Sequence, residues 1–135
     1  MNTIGKDIIS YIESIGCGTY GTDLFYIRVP DSKKTVTNLW WIESDGSTVD
    51  RHNVTGEDTV TYRFSLYYRD TRAERVEEKI YQATRSILAS HCYNLNNHRT
   101  IDIEYITSTP GSFFDEENRV YGVVSFSATV HDIIS

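Results

Sequence analysis

The ten residues TVTYRFSLYY, positions 59–68, restrict the fold of this chain more than any other stretch. Val60, Tyr62, Phe64, Leu66 and Tyr68 point one way and Thr61, Arg63, Ser65 and Tyr67 the other, the period of a strand with one buried face. The period then changes. Asp70 and Thr71 are N-cap candidates, Glu74 stands in capping-box spacing after Thr71, and Ala73, Val76, Ile80, Ala83, Ile87 and Leu88 recur at steps of three and four. A helix over 71–90 would be about 30 Å long at ~1.5 Å per residue, enough to cover a small sheet. A one-faced strand running into a one-striped helix has few packing solutions, and the simplest lays the stripe on the face.

The rest of the chain supplies both partners. Ile4, Ile8, Ile12 and Ile15 form a second amphipathic stripe that ends at Gly16. There the chain reads GCGTYG, 16–21, the G-x-G-x-x-G spacing of dinucleotide-binding loops. That loop needs a strand before it and a helix N-terminus after it, so that free N–H groups and the positive dipole end meet the phosphates. Here the order is reversed: a helix comes first, and Phe25, Ile27 and Val29 alternate with Leu24, Tyr26 and Arg28 afterwards, up to Pro30. A helix C-terminus presents carbonyls and the negative dipole end, so the glycines are expected to cap and turn, and no nucleotide or other cofactor is expected.

VTNLWWIE, 36–43, reads as a second strand, with Leu39 and Trp41 on one face and Trp40 and Ile42 on the other. SDGS, 44–47, is expected to break it, and 48–58 to form an exposed loop. After the long helix, HCYNLNNHR, 91–99, is turn chemistry, and Ile101, Ile103 and Tyr105 alternate with Asp102 and Glu104 in a strand. TSTPGSFFDEEN, 107–118, reads as a loop in which proline and glycine exclude regular structure, before Val120, Gly122, Val124, Phe126, Ala128 and Val130 alternate in a last strand. The layout is α-β-β-β-α-β-β. It predicts one α+β domain over 1–135, a single mixed or antiparallel β-sheet with the long central helix and the N-terminal helix packed on one face. The strands flanking the central helix are candidates for parallel neighbours joined by a crossover.

A formal charge of −6, from 13 basic and 19 acidic residues, argues against a general nucleic-acid binder, whose affinity rests on cations neutralising phosphates. Cys17 and Cys92 lie far apart without metal-like pairing, which suits cytoplasmic synthesis. No apolar run approaches the ~20 residues that span a bilayer, so neither a membrane segment nor an export signal is expected. The 10 tyrosines suit either an interface or an antiparallel sheet.

Chemistry-bearing groups are sparse. His91, Cys92 and His98 loosely suggest a transition-metal site, but zinc needs three or four well-spaced ligands, and a surface turn with His91 at the C-terminal dipole end of the helix accounts for them, so no metal is expected. Asp115, Glu116 and Glu117 could ligate a divalent cation or simply form a solvated loop; EF-hand spacing is absent. There is no G-x-S-x-G, and no histidine is fixed by sequence beside Cys17. An enzyme would have to assemble its site through the fold. Phe113 and Phe114 are more informative: two adjacent rings in a loop are hard to bury together, so either one docks on a neighbour or one tucks under the helix and the other stays partly exposed.

The order of these elements resembles the tail terminator proteins of long-tailed bacteriophages, also known as minor tail or minor capsid proteins. The resemblance is carried by NTIGKDIISYIESI, by the passage TVTYRFSLYYRDTRAERVEEKIYQATRSIL, and by the ending PGSFFDEENRVYGVVSFSATV. It covers nearly the whole chain. It implies a structural, non-enzymatic virion protein, made in the host cytoplasm and placed at the head–tail junction. Its subunits would form a ring, commonly sixfold, that caps the tail tube, stops polymerisation and joins the head. The implied partners are other copies of the chain, the tail tube protein and a head-completion or connector protein, with DNA passing through the lumen without specific binding. The expected contact residues are Phe113 and Phe114 as apolar anchors, Asp115, Glu116 and Glu117 as a polar rim, and Arg51 and His52 in the 48–58 loop. Two rivals remain at this level: a stopper-type connector acting on the portal side, and a small ferredoxin-like α+β enzyme with a polar pocket.

Overall fold

The computed structural model describes residues 3–33, 36–50, 57–90, 93–115 and 118–133. Among them α1 (Thr3–Ser14) leads to β1 (Leu24–Tyr26), a short 3-10 turn at Asp31–Lys33, β2 (Leu39–Asp50), β3 (Glu57–Asp70), α2 (Ala73–Leu88), β4 (Arg99–Phe114) and β5 (Val120–Ile133). The five strands form one sheet in the order β1-β2-β3-β5-β4. It is mixed, because β1 runs parallel to β2 while every other pair is antiparallel.

The parallel pair is not the expected one. β5 inserts between β3 and β4 and is antiparallel to both, so the two strands flanking α2 are not neighbours. The crossover through α2 therefore leaves a gap one strand wide, about 10 Å at the usual strand spacing. β5 fills it, with register partners from Glu57↔Ile133 to Asp70↔Val120 on the β3 side.

Both helices lie on one face of the sheet. Phe126 of β5 meets the ring of Tyr11 in α1 at 5.9 Å, and Gly122, four residues back on the same side of β5, lies beneath Ile80 of α2. Ile4, Ile8, Ile9, Tyr11 and Ile12 of α1 and Val76, Ile80, Ala83 and Ile87 of α2 are buried against Ile42, Phe64, Leu66, Val124, Phe126 and Ala128. Fully burying such a side chain contributes about 1.5–3 kcal/mol, which is why the stripes decide the architecture.

Two breaks read from the sequence are not breaks. SDGS does not end β2; the strand passes it with a bulge between Ser44 and Gly46, and the Asp45 carboxylate accepts a hydrogen bond from the Ser65 hydroxyl on β3. Likewise β4 runs through Pro110 and Gly111 to Phe114, with three residues, 110–112, bulging opposite Gly122 alone. Proline and glycine are tolerated there because β4 is an edge strand, where a missing donor and an extra residue cost no interior ladder. Of the expected 48–58 loop, 48–50 and 57–58 belong to strands, and 51–56 lie outside the described residues.

Local caps also differ from expectation. α2 begins one residue after Arg72, which makes no side-chain cap bond, so the Thr71–Glu74 capping box does not form. Instead Asp70, buried at the end of β3, accepts hydrogen bonds from the Thr71 N–H (2.7 Å) and the Tyr68 hydroxyl (2.9 Å) and faces Arg75 at 3.7 Å. The GCGTYG glycines do form a cap and turn. Gly16, Gly18 and Gly21 all have positive φ, at 85°, 94° and 86°, a region closed to most side chains.

Candidate assembly surface

The bulge at 110–112 decides where the two phenylalanines go. It restores the pairing of Phe113 with Tyr121 across β4 and β5, on the face that carries no helix. The Phe113 ring stacks on Tyr121 with centroids 5.1 Å apart and planes 19° from parallel. Tyr121 lies 6.3 Å from Tyr67 of β3 and 6.1 Å from Trp41 of β2, and Trp41 stacks on Tyr67 at 5.0 Å and 3°. One ring from each of four adjacent strands thus forms a continuous aromatic array. Phe113 is 39% exposed and the other three are half-buried; Phe114, paired with Val120, points to the opposite side of β4 and is 68% exposed.

This arrangement follows from strand period. Tyr67 occupies an outward position of TVTYRFSLYY, and Trp41, its register partner, occupies an outward position of β2. Each ring pair adds about 0.5–1.5 kcal/mol beyond its buried area, so the array is rigid while its faces stay accessible. Toward the other end the same face turns polar: Thr61 and Thr129 hydroxyls meet at 3.0 Å, Ser65 and Ser125 at 3.1 Å, and Arg63 donates to Thr48 at 2.9 Å.

Asp115 is engaged within its own subunit. Its carboxylate accepts from the Arg119 backbone N–H (2.9 Å) and Nε (2.8 Å), closing the β4–β5 turn. Arg119 also reaches the Val36 carbonyl at 3.4 Å, which Arg69 holds from the other side at 2.6 Å, so the turn is tied to the chain entering β2. Glu116, Glu117, Arg51 and His52 lie outside the described residues.

Of the loosely metal-like triplet, only His98 is among the described residues. His98 Nδ1 donates to Asp7 of α1 at 2.7 Å, and the same buried carboxylate accepts from the Asn97 N–H (2.9 Å) and Nδ2 (2.7 Å). His98 is thereby used to pin the segment before β4 onto α1. His91 and Cys92 are outside the described residues, and no group of three or more His, Cys, Asp or Glu among those described could hold a metal ion.

Two concavities flank α2. One, about 480 Å³, lies between α2 and the β4 edge, with Glu77, Glu78, Ile80, Tyr81, Ser108 and Pro110 in its lining. The other, about 270 Å³, opens toward β1 and β2 beside Asp23, Trp40, Tyr68, Arg75 and Lys79. The shifted titrating groups all move away from neutrality. Burial pushes the Tyr11 hydroxyl and the Cys17 thiol up to about 12, and it also raises Tyr26, Tyr67 and Tyr68, with Glu43 adding to Tyr67 and Asp70 to Tyr68. These groups stay protonated at pH 7, suited to packing and contact rather than proton transfer.

Sequence reasoning singled out the phenylalanines but missed Trp41, Tyr67 and Tyr121. The signal was present: each is a large aromatic at an outward position of a strand whose inward positions are already apolar.

The family model for bacteriophage tail terminator proteins matches residues 11–132. Among solved structures, one chain from the virion of a native gene transfer agent particle has a similar fold, with a TM-score of 0.55 at 11% sequence identity over 98% of this chain and 100% of that one. A comparison with curated protein sequences returned no match.

Proposed function

The chain belongs to the bacteriophage tail terminator family, and from that premise we propose that its subunits close into a sixfold ring on the end of the finished tail tube. The ring stops tube polymerisation and offers the head-completion or connector protein its joining surface at the head–tail junction. It works by assembly, not by catalysis, and DNA passes through the lumen without specific attachment, in keeping with a net charge of −6.

The observation that carries the docking role is the aromatic array on the helix-free face. Phe113, Tyr121, Tyr67 and Trp41 form an apolar patch rimmed by polar strands, the composition of an interface core. In this reading the patch seats the subunit on the tube protein.

The test is co-sedimentation with purified tail tubes. Replacing Phe113 and Phe114 together by Ala removes exposed rings, so unfolding is expected to stay near wild type while docking weakens on the order of tenfold or more. Docking at wild-type strength by the folded double variant would remove this patch as the tube contact.

A further inference from the structure

We propose that successive subunits of the ring join head to tail, the groove between α2 and β4 of one copy receiving the basic segment 27–33 after β1 of the next. This inference rests on the ring reading and names its interface.

The two surfaces lie at opposite edges of one sheet, since β1 and β4 are its outermost strands. A ring requires that placement, because a heterologous contact joins two different patches facing away from each other on each subunit. The surfaces are also opposite in charge. The groove is walled by Glu77 and Glu78, both exposed and without a cationic partner among the described residues; Glu74 beside them is paired with Arg72 at 2.8 Å. At the far edge, exposed Arg28 and half-buried Lys33 make no ion pair among the described residues, against one acid, Asp31, in the same segment.

Along the first half of α2 the division continues, since Arg75 and Lys79 face the β1–β2 side while the glutamates face β4; in the last turn Arg85 lies over the Tyr81 ring at 5.8 Å. Each patch carries exposed apolar surface to match: Tyr81 (60%) in the groove, Ile27 (57%) and Tyr20 (48%) by β1. Simple strand addition is blocked at both edges. β4 is interrupted by three bulges, and Leu24 of β1 already bonds Gly21 and Thr19 through its outward backbone groups. The contact is therefore made by side chains, an acidic groove with an apolar floor around a basic, apolar-tipped loop, and it weakens with salt.

The test is charge reversal read by native mass spectrometry and sedimentation velocity, in the presence of tail tubes if rings form only there. Glu77→Lys with Glu78→Lys, and separately Arg28→Glu with Lys33→Glu, should each lower the ring population at least tenfold, and mixing the two variants should restore it. All four positions are surface ones; the neutral pair Glu77→Gln with Glu78→Gln gives a weaker loss in the same direction should a reversal variant fail to fold. Folded variants that assemble like wild type would overturn this interface and leave the ring standing, as would a loss that mixing does not repair. A wild-type chain that never forms rings would overturn the ring reading and this inference with it.

Discussion

Gly122 sits where three parts of the fold meet, and adding one methyl group there tests whether they meet as described. A Cβ at this position would lie 2.9 Å from the Gly111 nitrogen, 2.9 Å from Ile80 Cγ1 and 2.9 Å from the Thr109 oxygen. Two of these atoms are backbone of the β4 bulge and cannot rotate away; the third belongs to the α2 residue buried over the sheet. Relief therefore requires lifting α2 or opening the bulge. Overpacking of this kind costs about 1–3 kcal/mol, against about 0.5–1 kcal/mol recovered by replacing a strand glycine. Gly122→Ala should thus lose on the order of 1–2 kcal/mol, a drop in Tm of roughly 4–8 °C for a chain of this size. Circular dichroism at 222 nm during heating and in urea measures both. Because the bulge sets the pairing of Phe113 with Tyr121, the same variant should also dock less well on tubes than its residual stability accounts for. A variant as stable as wild type, or more so, would refute the close approach of α2, β5 and the bulge.

Two further predictions follow from buried polar groups. Asp7→Ala removes the acceptor of three hydrogen bonds from Asn97 and His98 and should cost about 3 kcal/mol in urea unfolding; a loss within experimental error would mean the 97–98 segment is held by something else. Alkaline pH should also destabilise the fold. Tyr11 and Cys17 keep their protons in the folded state up to about 12, whereas the unfolded chain releases them from about pH 9 upward, so it binds fewer protons and stability falls as pH rises. The contribution is intact below pH 9 and is lost at ~1.4 kcal/mol per pH unit for each group above its unfolded value. A urea midpoint unchanged between pH 8 and pH 10.5 would contradict it.

The parts of the fold legible in the sequence are those where a single period governs a long run. The alternation of TVTYRFSLYY and the helical stripe each put many side chains on one face, and tertiary packing agreed with the strand and with Val76, Ile80, Ala83 and Ile87 of the stripe, while Ala73 and Leu88 at its ends are exposed. The order of helix, glycines and strand around GCGTYG was legible for the same reason. Where local chemistry competed with a ladder, the ladder prevailed. SDGS and Pro110–Gly111 look like breaks to a reader of turns, yet a bulge absorbs the extra residue in β2 and an edge position excuses the proline in β4. The insertion of β5 between β3 and β4 could not be read locally, because strand order is set by which ladders close across the whole sheet. The candidate surface was half legible. Phe113 and Phe114 stood out as adjacent rings, but the joining of Phe113 with Tyr121, Tyr67 and Trp41 depends on the register of four strands, and the bond of Asp115 to Arg119 depends on how the β4–β5 turn closes.

Native mass spectrometry of the wild-type chain across a concentration series, without and then with purified tail tubes, addresses ring assembly most directly. Closed rings of one stoichiometry, six subunits, forming alone or on the tubes, are the predicted result. A chain that stays monomeric at high concentration and still fails to assemble when tubes are added would contradict it.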